Sequence, residues 1–236
     1  MPKISLICVT NRKHFEDVLF DDVARQTFQD FEVIIADDNC ESNEPTHLWF
    51  KPRQKNEGDV WNLNKAYNDC LDRATGELLV FLQDFIWIPD EGLKKFWDAY
   101  QKHPNALVTG VGHKALNGLE GVSEPDRRME SPKQGLDYCD PMIVPWELNW
   151  ASCPRKIMPR FNEEMDRFYG GENLWIQKAA ILRGADMMID RSNRCIGYSQ
   201  EFCGGRPDNW EEMHSNKNGR LAAFLKYLDL TEGKGV

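Results

Sequence analysis

Residues 31–39, FEVIIADDN, contain an apolar run that ends abruptly in two aspartates and an asparagine. The run from Phe31 to Ala36 is short and rich in Ile and Val, which predicts a buried strand. Similar runs occur at Lys3 to Val9, Glu77 to Leu82 and Ala106 to Val111. Four such runs in the first half of the chain indicate that strands form the centre of the fold.

Segments with the apolar spacing of helices lie between these strands. They run from Phe15 to Val23, from about Val60 to Ala74, where Gly76 is the expected C-terminal cap, and onward from Pro89. The resulting β-α-β-α-β-α-β order predicts an α/β fold with a mostly parallel, Rossmann-like sheet and helices on both faces. Ligands of such sheets bind at the carboxyl ends of the strands. The polar residues that follow the first three strands are therefore candidates for one shared site.

The second half of the chain has weaker patterns. Gly112 to Val144 is rich in Gly, Pro, Ser and charged residues, which predicts a long surface loop. A helix is expected from about Glu172 to Arg183, two short strands at Ala185 to Ile189 and Arg194 to Tyr198, and a helix from Arg220 to Leu228. No internal repeat and no second domain is indicated, so we expect a single domain.

Composition narrows the class of protein. The chain has 236 residues, with 29 Lys and Arg against 38 Asp and Glu, which gives a net charge of −9. This acidic balance disfavours a protein that coats nucleic acid and suits the binding of divalent cations. No apolar run reaches the roughly 18 residues of a membrane-spanning helix. The N-terminus lacks the pattern of a signal peptide and the seven Cys are scattered, so we expect reduced thiols and a cytoplasmic protein.

Acidic residues follow the second and third strands. Asp38 could accept the N3–H of a uracil ring or hold a ribose hydroxyl, but Asp is also a common turn residue. Asp84 follows the run LLVFLQ and could hold a divalent cation that bridges two phosphates. Its alternative role is to cap the helix that Pro89 opens. On the residues alone, both alternatives stay open at each position.

Further candidates lie in the second half of the chain. Glu172 follows two glycines at the start of a predicted helix, where it could act as a general base or simply interact with the helix dipole. His214 could complete a mixed oxygen and nitrogen shell around Mn²⁺, or could be an ordinary surface or core residue. Trp146 and Trp150 could stack on sugar rings, but core packing is the favoured role for at least one of them.

Together, and in this order, these features resemble glycosyltransferase family 2, whose members have the GT-A fold. The similarity is carried by residues 4–12, 26–28, 31–39, 64–68, 74–77 and 79–84, and it resumes at residues 161–163 and 171–174 and at His214. The stretch 169–173, YGGEN, also resembles the WGGED motif of β-1,4-galactosyltransferases. The resemblance implies one GT-A domain over residues 1–236, with a nucleotide-sugar-binding half at 1–111 and an acceptor-binding and catalytic half at 112–236.

The resemblance also implies a set of donor-binding residues. They are Thr10, Arg12, Asp38, Lys65, Asn68 and Gln83. In the family the second Asp after strand two contacts the uracil of a UDP-sugar, and that residue is Asp38 here. Asn68 matches the Asn of the family's A-R-N stretch, while Tyr67 replaces its Arg, so Lys65 is the expected source of positive charge for the diphosphate.

The metal motif departs from the family's usual D-x-D or D-D-D. Asp84 aligns with the carboxylate that binds the metal. Either Gln83 or Leu82 stands at the place of the family's earlier Asp, and Phe85 stands at another place that is often acidic in the family. The resemblance therefore implies that Asp84 and His214 are the two protein ligands of Mn²⁺ or Mg²⁺. The donor's diphosphate and water would complete the shell of the ion.

The catalytic motif departs from the family as well. The usual Glu-Asp pair is here Glu172-Asn173, and an asparagine cannot usefully accept a proton. Glu172 is therefore the expected base, and Asp166 is the alternative. Trp146, Trp150 and Asn173 are the expected acceptor-binding residues.

These features predict a metal-dependent inverting glycosyltransferase that moves a sugar from a nucleotide diphosphate sugar, with UDP favoured, to a hydroxyl of a glycan or glycolipid. Polysaccharide biosynthesis is the expected setting, and the acidic charge disfavours nucleic acid as the acceptor. The first alternative is a nucleotide-sugar-binding protein without turnover, suggested by Gln83, Phe85 and Asn173. The second is a nucleotidyltransferase, which is less favoured because residues 10–14 contain no glycine.

Overall fold

The structure, a computed structural model, describes residues 1–12, 15–40, 48–117, 120–125, 133–167 and 170–198 of the chain. Several sequence-based predictions lie outside these residues. They are the helix from Arg220 to Leu228, the metal ligand His214 and the first residue of the YGGEN stretch, Tyr169. These three stay predictions.

Strands and helices alternate in the first half of the chain, as predicted. The strands are β1 (Ile4–Thr10), β2 (Phe31–Asp37), β3 (Leu48–Phe50), β4 (Leu78–Gln83), β5 (Ile86–Trp87), β6 (Ala106–Asn117), β7 (Glu120–Pro125), β8 (Leu136–Tyr138), β9 (Trp150–Pro154) and β10 (Asp186–Gly197). The helices are α1 (Glu16–Ala24), α2 (Leu63–Arg73), α3 (Gly92–Lys102) and α4 (Glu172–Leu182), with 3₁₀ segments at Arg155–Ile157 and Glu163–Arg167. Within the described residues, no helix is both long and apolar enough to cross a membrane.

All the described strands join one sheet. Its order is β3-β2-β1-β4-β9-β6-β10-β5, with β7 attached to β6 and β8 attached to β10. Strands β3, β2, β1 and β4 are parallel, β9 runs antiparallel between β4 and β6, and β10 is parallel to β6. The α/β fold with a mostly parallel central sheet is thus confirmed. The strand predicted after α3 is β6, which pairs with β9 rather than with β4.

Helices cover both faces of this sheet because successive side chains of a strand point to opposite faces. In β1, Ile4, Leu6 and Cys8 pack in the same core cluster as residues of α1 and α3. Ile7 packs instead with residues of α2 and α4 on the opposite face. The strand is therefore buried on both sides, which explains why its sequence is a continuous apolar run rather than an alternating one.

Two sequence-based predictions about the second half are wrong. Residues 112–144 do not form one surface loop, because β6 continues to Asn117 and the short antiparallel strands β7 and β8 follow. The two short strands predicted after α4 are one strand, β10, whose register with β6 shifts between Ile189 and Arg194. Polar residues at this shift interrupt the apolar pattern, which made the strand look like two.

The boundaries of α2 also differ from the prediction. The helix begins at Leu63 rather than Val60, because the backbone of Asn62 is not helical (φ −122°, ψ 24°), and the N–H groups of Val60 and Trp61 donate to the carbonyl oxygen of Asp166. Gly76 is not its cap, since the helix ends before it and Gly76 does not adopt a positive φ. A Cβ at Gly76 would lie 2.5 Å from the backbone nitrogen of Ser5, so glycine is needed for the close approach to β1.

Candidate functional site

Strands β2, β1 and β4 end side by side, and the polar residues at their ends meet at one edge of the sheet. Thr10 of β1 is paired in register with Asp37 of β2, and Val9 with Gln83 of β4. The carboxyl ends of parallel strands form the ligand-binding edge of such sheets. The predicted site residues at this edge, here called the strand-end cluster, are Thr10, Arg12, Asp38, Gln83 and Asp84.

Asp84 is enclosed by two other members of the strand-end cluster. Its Oδ2 accepts a hydrogen bond from Thr10 Oγ1 at 2.6 Å, and its Oδ1 accepts one from Arg12 Nε at 3.1 Å. The Arg12 and Asp84 side chains are only 7% and 8% exposed. Burial raises the pKa of Asp84, and the Arg12 guanidinium and the Thr10 hydroxyl oppose that rise. The result is a buried, hydrogen-bonded ion pair.

The two aspartates after the apolar run of β2 have different surroundings. Asp37 is buried and accepts hydrogen bonds from the indole N–H of Trp49 at 3.0 Å and from the backbone N–H of Asn39 at 2.8 Å. Asp38 is partly exposed, and its Oδ1 accepts from Asn62 Nδ2 at 2.8 Å. Asp37 therefore holds the turn in place, whereas Asp38 is the carboxylate that lies at the surface of the edge.

A second group of polar residues surrounds the start of α4. Gly170 and Gly171 have φ of 79° and 100°, a left-handed conformation that glycine adopts without strain, and they lead into the helix at Glu172. The side-chain amide of Asn173 donates from Nδ2 to Glu147 Oε2 at 3.2 Å. Glu147, Glu172 and Asn173 are here called the α4 corner.

Glu172 has a raised pKa. Burial is the main cause, its own backbone N–H opposes the rise, and the charges of Glu147 and Asp166 add to it, which brings the pKa of Glu172 to about 7. Its Oε2 is buried and has no hydrogen-bond partner among the described residues. A carboxylate with this pKa can take up and release a proton near neutral pH.

Contacts connect the strand-end cluster with the α4 corner. The backbone N–H of Gln83 donates to the carbonyl oxygen of Asn149 at 3.3 Å, which attaches the segment after Glu147 to the end of β4. Burial raises the pKa of Tyr67 well above its usual value, and Glu172 and Asp84 are among the nearby groups that raise it further. One buried hydroxyl thus lies within electrostatic range of both Glu172 and Asp84.

Comparison with known proteins defines the family of the chain. The family model described as Glycosyl transferase family 2 matches residues 6–139. The chain belongs to glycosyl transferase family 2. No curated protein matches the sequence at a significant level.

Solved structures of TarS from S. aureus have the same GT-A fold. The crystal structure of TarS 1-349 matches with a TM-score of 0.64 at 16% identity, over 84% of this chain and 61% of that chain. TarS 1-349 in complex with UDP-GlcNAc matches with a TM-score of 0.64 at 15% identity, over 90% and 64% of the two chains. A further TarS structure matches with a TM-score of 0.61 at 17% identity, over 94% and 43%. The chain thus spans less than two thirds of the length of these proteins.

Family membership raises the question of a divalent cation, and the described residues do not fit one. Both carboxylate oxygens of Asp84 accept hydrogen bonds, and its charge is paired with the buried Arg12. Its neighbours Gln83 and Phe85 offer no carboxylate. Across the part of the chain that the structure describes, no group of three or more His, Cys, Asp or Glu side chains could hold a metal ion. Metal binding with the help of His214 stays a prediction, because that residue lies outside the described ranges.

Two residues predicted to bind the donor are paired inside the protein instead. Lys65 is 3% exposed, and its ammonium donates to Asp59 and lies 3.8 Å from Asp166 Oδ2. Asn68 is 2% exposed and exchanges hydrogen bonds of 2.9 Å with both the backbone N–H and the carbonyl of Phe161. Buried polar groups need such partners, and these side chains find them in the core. Donor binding by Lys65 and Asn68 therefore stays a prediction, and the structure gives both side chains partners within the protein.

Asp166, the alternative base, has a structural role. Its side chain is 0% exposed, and its Oδ1 accepts from both the backbone N–H and the Nδ2 of Asn64 at 2.8 Å. Its Oδ2 accepts from the backbone N–H of Lys65 at 3.3 Å. These bonds satisfy N–H groups in the first turn of α2 that have no partner within the helix. The Asp166 carboxylate is thus hydrogen-bonded to the start of α2, and Glu172 remains the candidate base.

Trp146 and Trp150 both belong to the core. They are 0% and 1% exposed. The Nε1 of Trp146 donates to the carbonyl oxygen of Ser152 at 3.1 Å, and the Nε1 of Trp150 donates to Asn193 Oδ1 at 3.0 Å. Neither indole presents a face to solvent, so both have the core-packing role that the sequence favoured for at least one of them, and stacking on an acceptor sugar stays a prediction. Of the predicted acceptor-binding residues, Asn173 is the one that the structure leaves partly exposed.

Two features of the site are not evident from the sequence. Glu147 lies between the two tryptophans, and no pattern there indicates that it reaches the start of α4. The pairing of Arg12 with Asp84 depends on the register of β1 and β4. A basic residue after one strand and an acidic residue after another were the available signals, and they suggest a pair only once the strands are known to be neighbours.

Proposed function

We propose that this chain is an inverting glycosyltransferase that takes its sugar from a nucleotide diphosphate sugar, with UDP favoured, and delivers it to a hydroxyl of a glycan or glycolipid. The observation that carries the proposal is the strand-end cluster at the carboxyl edge of the parallel strands, where the segment after Glu147 is hydrogen-bonded to the end of β4, in a chain of glycosyl transferase family 2. A TarS structure of the same fold is a complex with UDP-GlcNAc, which supports uridine nucleotides as the first donors to test.

In this proposal the strand-end cluster binds the nucleotide part of the donor. Asp38 is a partly exposed carboxylate, which can accept the N3–H of uracil. Gln83 is partly exposed at the end of β4 and can hydrogen-bond a ribose hydroxyl. Arg12 has a guanidinium whose fork of N–H donors suits phosphate oxygens. These three side chains offer one partner each to the base, the ribose and the diphosphate.

Glu172 is the base of the proposed reaction. Its ionised carboxylate takes the proton of the acceptor hydroxyl, and the oxygen of that hydroxyl attacks the anomeric carbon of the donor. The bond from this carbon to the diphosphate oxygen breaks, and its electron pair leaves with the diphosphate. A pKa of about 7 keeps part of the Glu172 population ionised at neutral pH and makes it a stronger base than an ordinary carboxylate.

Nucleotide release tests the proposal. The protein is incubated with UDP-, GDP- and dTDP-sugars, with and without oligosaccharide acceptors, and the freed nucleoside diphosphate is measured. We expect acceptor-dependent release from a UDP-sugar. Glu172→Gln should lower release by about 100- to 10,000-fold, the range of general base catalysis, because the amide cannot take the proton. UDP binding by the same variant, measured by calorimetry, should match the wild type, because Glu172 lies in the α4 corner.

The outcomes separate the candidate functions. If no nucleotide sugar binds, the proposal fails, and full activity of Glu172→Gln would exclude Glu172 as the base. Binding without release would favour the second candidate, a nucleotide-sugar-binding protein without turnover. The observation that favours this candidate is Asn173, which stands at the position of the family's Asp and donates its amide to Glu147.

A further inference from the structure

Arg12 lies against the residue that aligns with the family's metal-binding carboxylate. Its Nε donates to Asp84 Oδ1 at 3.1 Å, and the Thr10 hydroxyl donates to the other carboxylate oxygen at 2.6 Å. A carboxylate that binds a divalent cation must direct its oxygens at the ion. Both oxygens of Asp84 are instead directed at donors from the end of β1 and the residues after it.

A divalent cation could reach Asp84 only if Arg12 moved away. The two side chains are 7% and 8% exposed, so the pair is shielded from water. Separating a buried ion pair leaves an uncompensated charge, which is strongly unfavourable. If Arg12 stayed in place, its guanidinium would repel a second cation beside it. Arg12 therefore already occupies the place beside Asp84 that the family resemblance assigns to a metal ion.

Phe85 occupies a second position where the family often has a carboxylate. The guanidinium carbon of Arg12 lies 5.3 Å from the centroid of the Phe85 ring, within the range of a cation–π interaction. An aromatic ring has no oxygen to offer a metal ion, but its face attracts a guanidinium. Asp84 and Phe85, which both lie beside Arg12, thus suit an organic cation.

We propose that Arg12 replaces the divalent cation, so that this chain binds the diphosphate of its donor without a metal ion. The inference rests on the proposed function and deepens it. A guanidinium is charged at every physiological pH and presents five N–H donors that match phosphate oxygens. The backbone N–H of Arg12 donates to Thr10 Oγ1 at 3.0 Å, and the Thr10 carbonyl accepts from the N–H of Asp38 at 3.1 Å. Arg12 is therefore held next to the proposed uracil site.

Calorimetry on the full chain tests this proposal without a substitution. The affinities for UDP, GDP and dTDP are measured in excess EDTA and again in excess MnCl₂ or MgCl₂. We expect the dissociation constant of the nucleotide that binds to agree within about threefold between the two conditions. Tightening by about tenfold or more with the metal would overturn the proposal and leave the proposed function standing. If none of the three binds in either condition, the proposed function fails and this inference with it.

Variants identify Arg12 as the source of the positive charge. Arg12→Lys keeps the charge but loses the fork, and we expect it to weaken nucleotide binding in EDTA by about tenfold. Arg12→Gln combined with Asp84→Asn removes both charges but keeps two groups that can hydrogen-bond, which protects the fold. This double variant should weaken binding by about tenfold or more, with or without Mn²⁺.

Lys94→Gln is the matched control for these variants. Lys94 pairs with Asp98 on the exposed surface of α3, where its side chain is 51% exposed, so its loss should leave nucleotide affinity unchanged. Circular dichroism and urea denaturation establish that each variant is folded before its affinity is measured. If the folded double variant binds the nucleotide as tightly as the control does, Arg12 is not the ligand of the diphosphate and the proposal is overturned.

Discussion

Asp84 of the strand-end cluster and Glu172 of the α4 corner are carboxylates with opposite surroundings. Asp84 is paired with Arg12 and with the Thr10 hydroxyl. Glu172 has one oxygen, Oε2, that is buried without a hydrogen-bond partner among the described residues, and the charge of Glu147 adds to the effect of burial. Partners for the ionised form favour the charge, whereas burial and a like charge favour the proton. Asp84 is therefore suited to holding Arg12 and Thr10 in place, and Glu172 is suited to accepting a proton.

The difference has a structural origin. Neighbouring parallel strands set the strand-end cluster, since the pairing of Val9 with Gln83 brings Thr10 next to Asp84. The α4 corner depends on the left-handed turn before Glu172 and on the segment before β9, which carries Glu147. The sheet supplies paired side chains, and the irregular segments supply the carboxylate whose charge is not compensated.

Asp84→Asn should have the largest effect that this comparison predicts, and the effect is on stability. The substitution keeps the shape of the side chain but leaves the buried guanidinium of Arg12 without its counter-charge. We expect the free energy of unfolding at neutral pH to fall by about 3 kcal/mol, as for other buried ion pairs that lose one partner. Urea denaturation followed by tryptophan fluorescence measures the change.

Asp72→Asn is the matched control for Asp84→Asn. Asp72 pairs with Arg160 at the surface, where the two side chains are 57% and 54% exposed. Solvent screens such pairs, so we expect a loss of less than about 1 kcal/mol. Similar losses for the two variants would mean that water also screens Arg12 and Asp84, and the contrast between the strand-end cluster and the α4 corner would then disappear.

The sequence predicts the strand-end cluster well because its signals are local. The apolar runs of β1, β2 and β4 each end in polar residues, and parallel strands bring those ends to one edge whatever the rest of the chain does. Asp38 and Asp84 could therefore be assigned to a shared site before the fold was known. The fold class follows from the same alternation of strands and helices.

The rest of the site could not be predicted because it depends on partners that are distant in the sequence. Helical spacing places Lys65 on α2, but it does not reveal that Asp59 and Asp166 surround its ammonium. A tryptophan in the core and one that stacks on a sugar look the same in a sequence, and only burial distinguishes them for Trp146. The contact of Glu147 with Asn173 requires two segments to meet that no periodicity relates.

Glu147→Gln tests the α4 corner through the pH dependence of transfer. Glu172 must be ionised to act as a base, so wild-type transfer should rise with pH through about 7. Removing the charge of Glu147 favours the ionised form of Glu172 and lowers its pKa. We expect the midpoint of the rise to move to lower pH by about half a unit. The transfer rate as a function of pH, at saturating donor and acceptor, measures the midpoint.

Glu91→Gln, an exposed glutamate at the start of α3, should leave that midpoint unchanged and serves as the control. Stability gives a second measurement. The pKa of Glu172 is about 7 in the folded chain against an ordinary value of 4.5, so between these values the folded state binds more protons than the unfolded state. The stability from this group is present at low pH and lost as pH rises through about 7. Glu147→Gln should reduce this loss of stability. A midpoint of the transfer rate that stays in place or moves to higher pH would contradict the electrostatic effect of Glu147 on Glu172.

Trp150→Phe should have the smallest effect, and it tests whether the core beneath both groups takes part in recognition. The indole packs on Phe96, with ring centroids 4.7 Å apart, and its Nε1 donates to Asn193 Oδ1 at 3.0 Å. Phenylalanine keeps a ring on Phe96 but loses that hydrogen bond and part of the packing, so the free energy of unfolding should fall by about 1–2 kcal/mol. The KM for the acceptor should stay the same, because a buried ring cannot touch a sugar. A raised acceptor KM at unchanged stability would mean that the indole meets the acceptor, and that the α4 corner extends into what the structure shows as core.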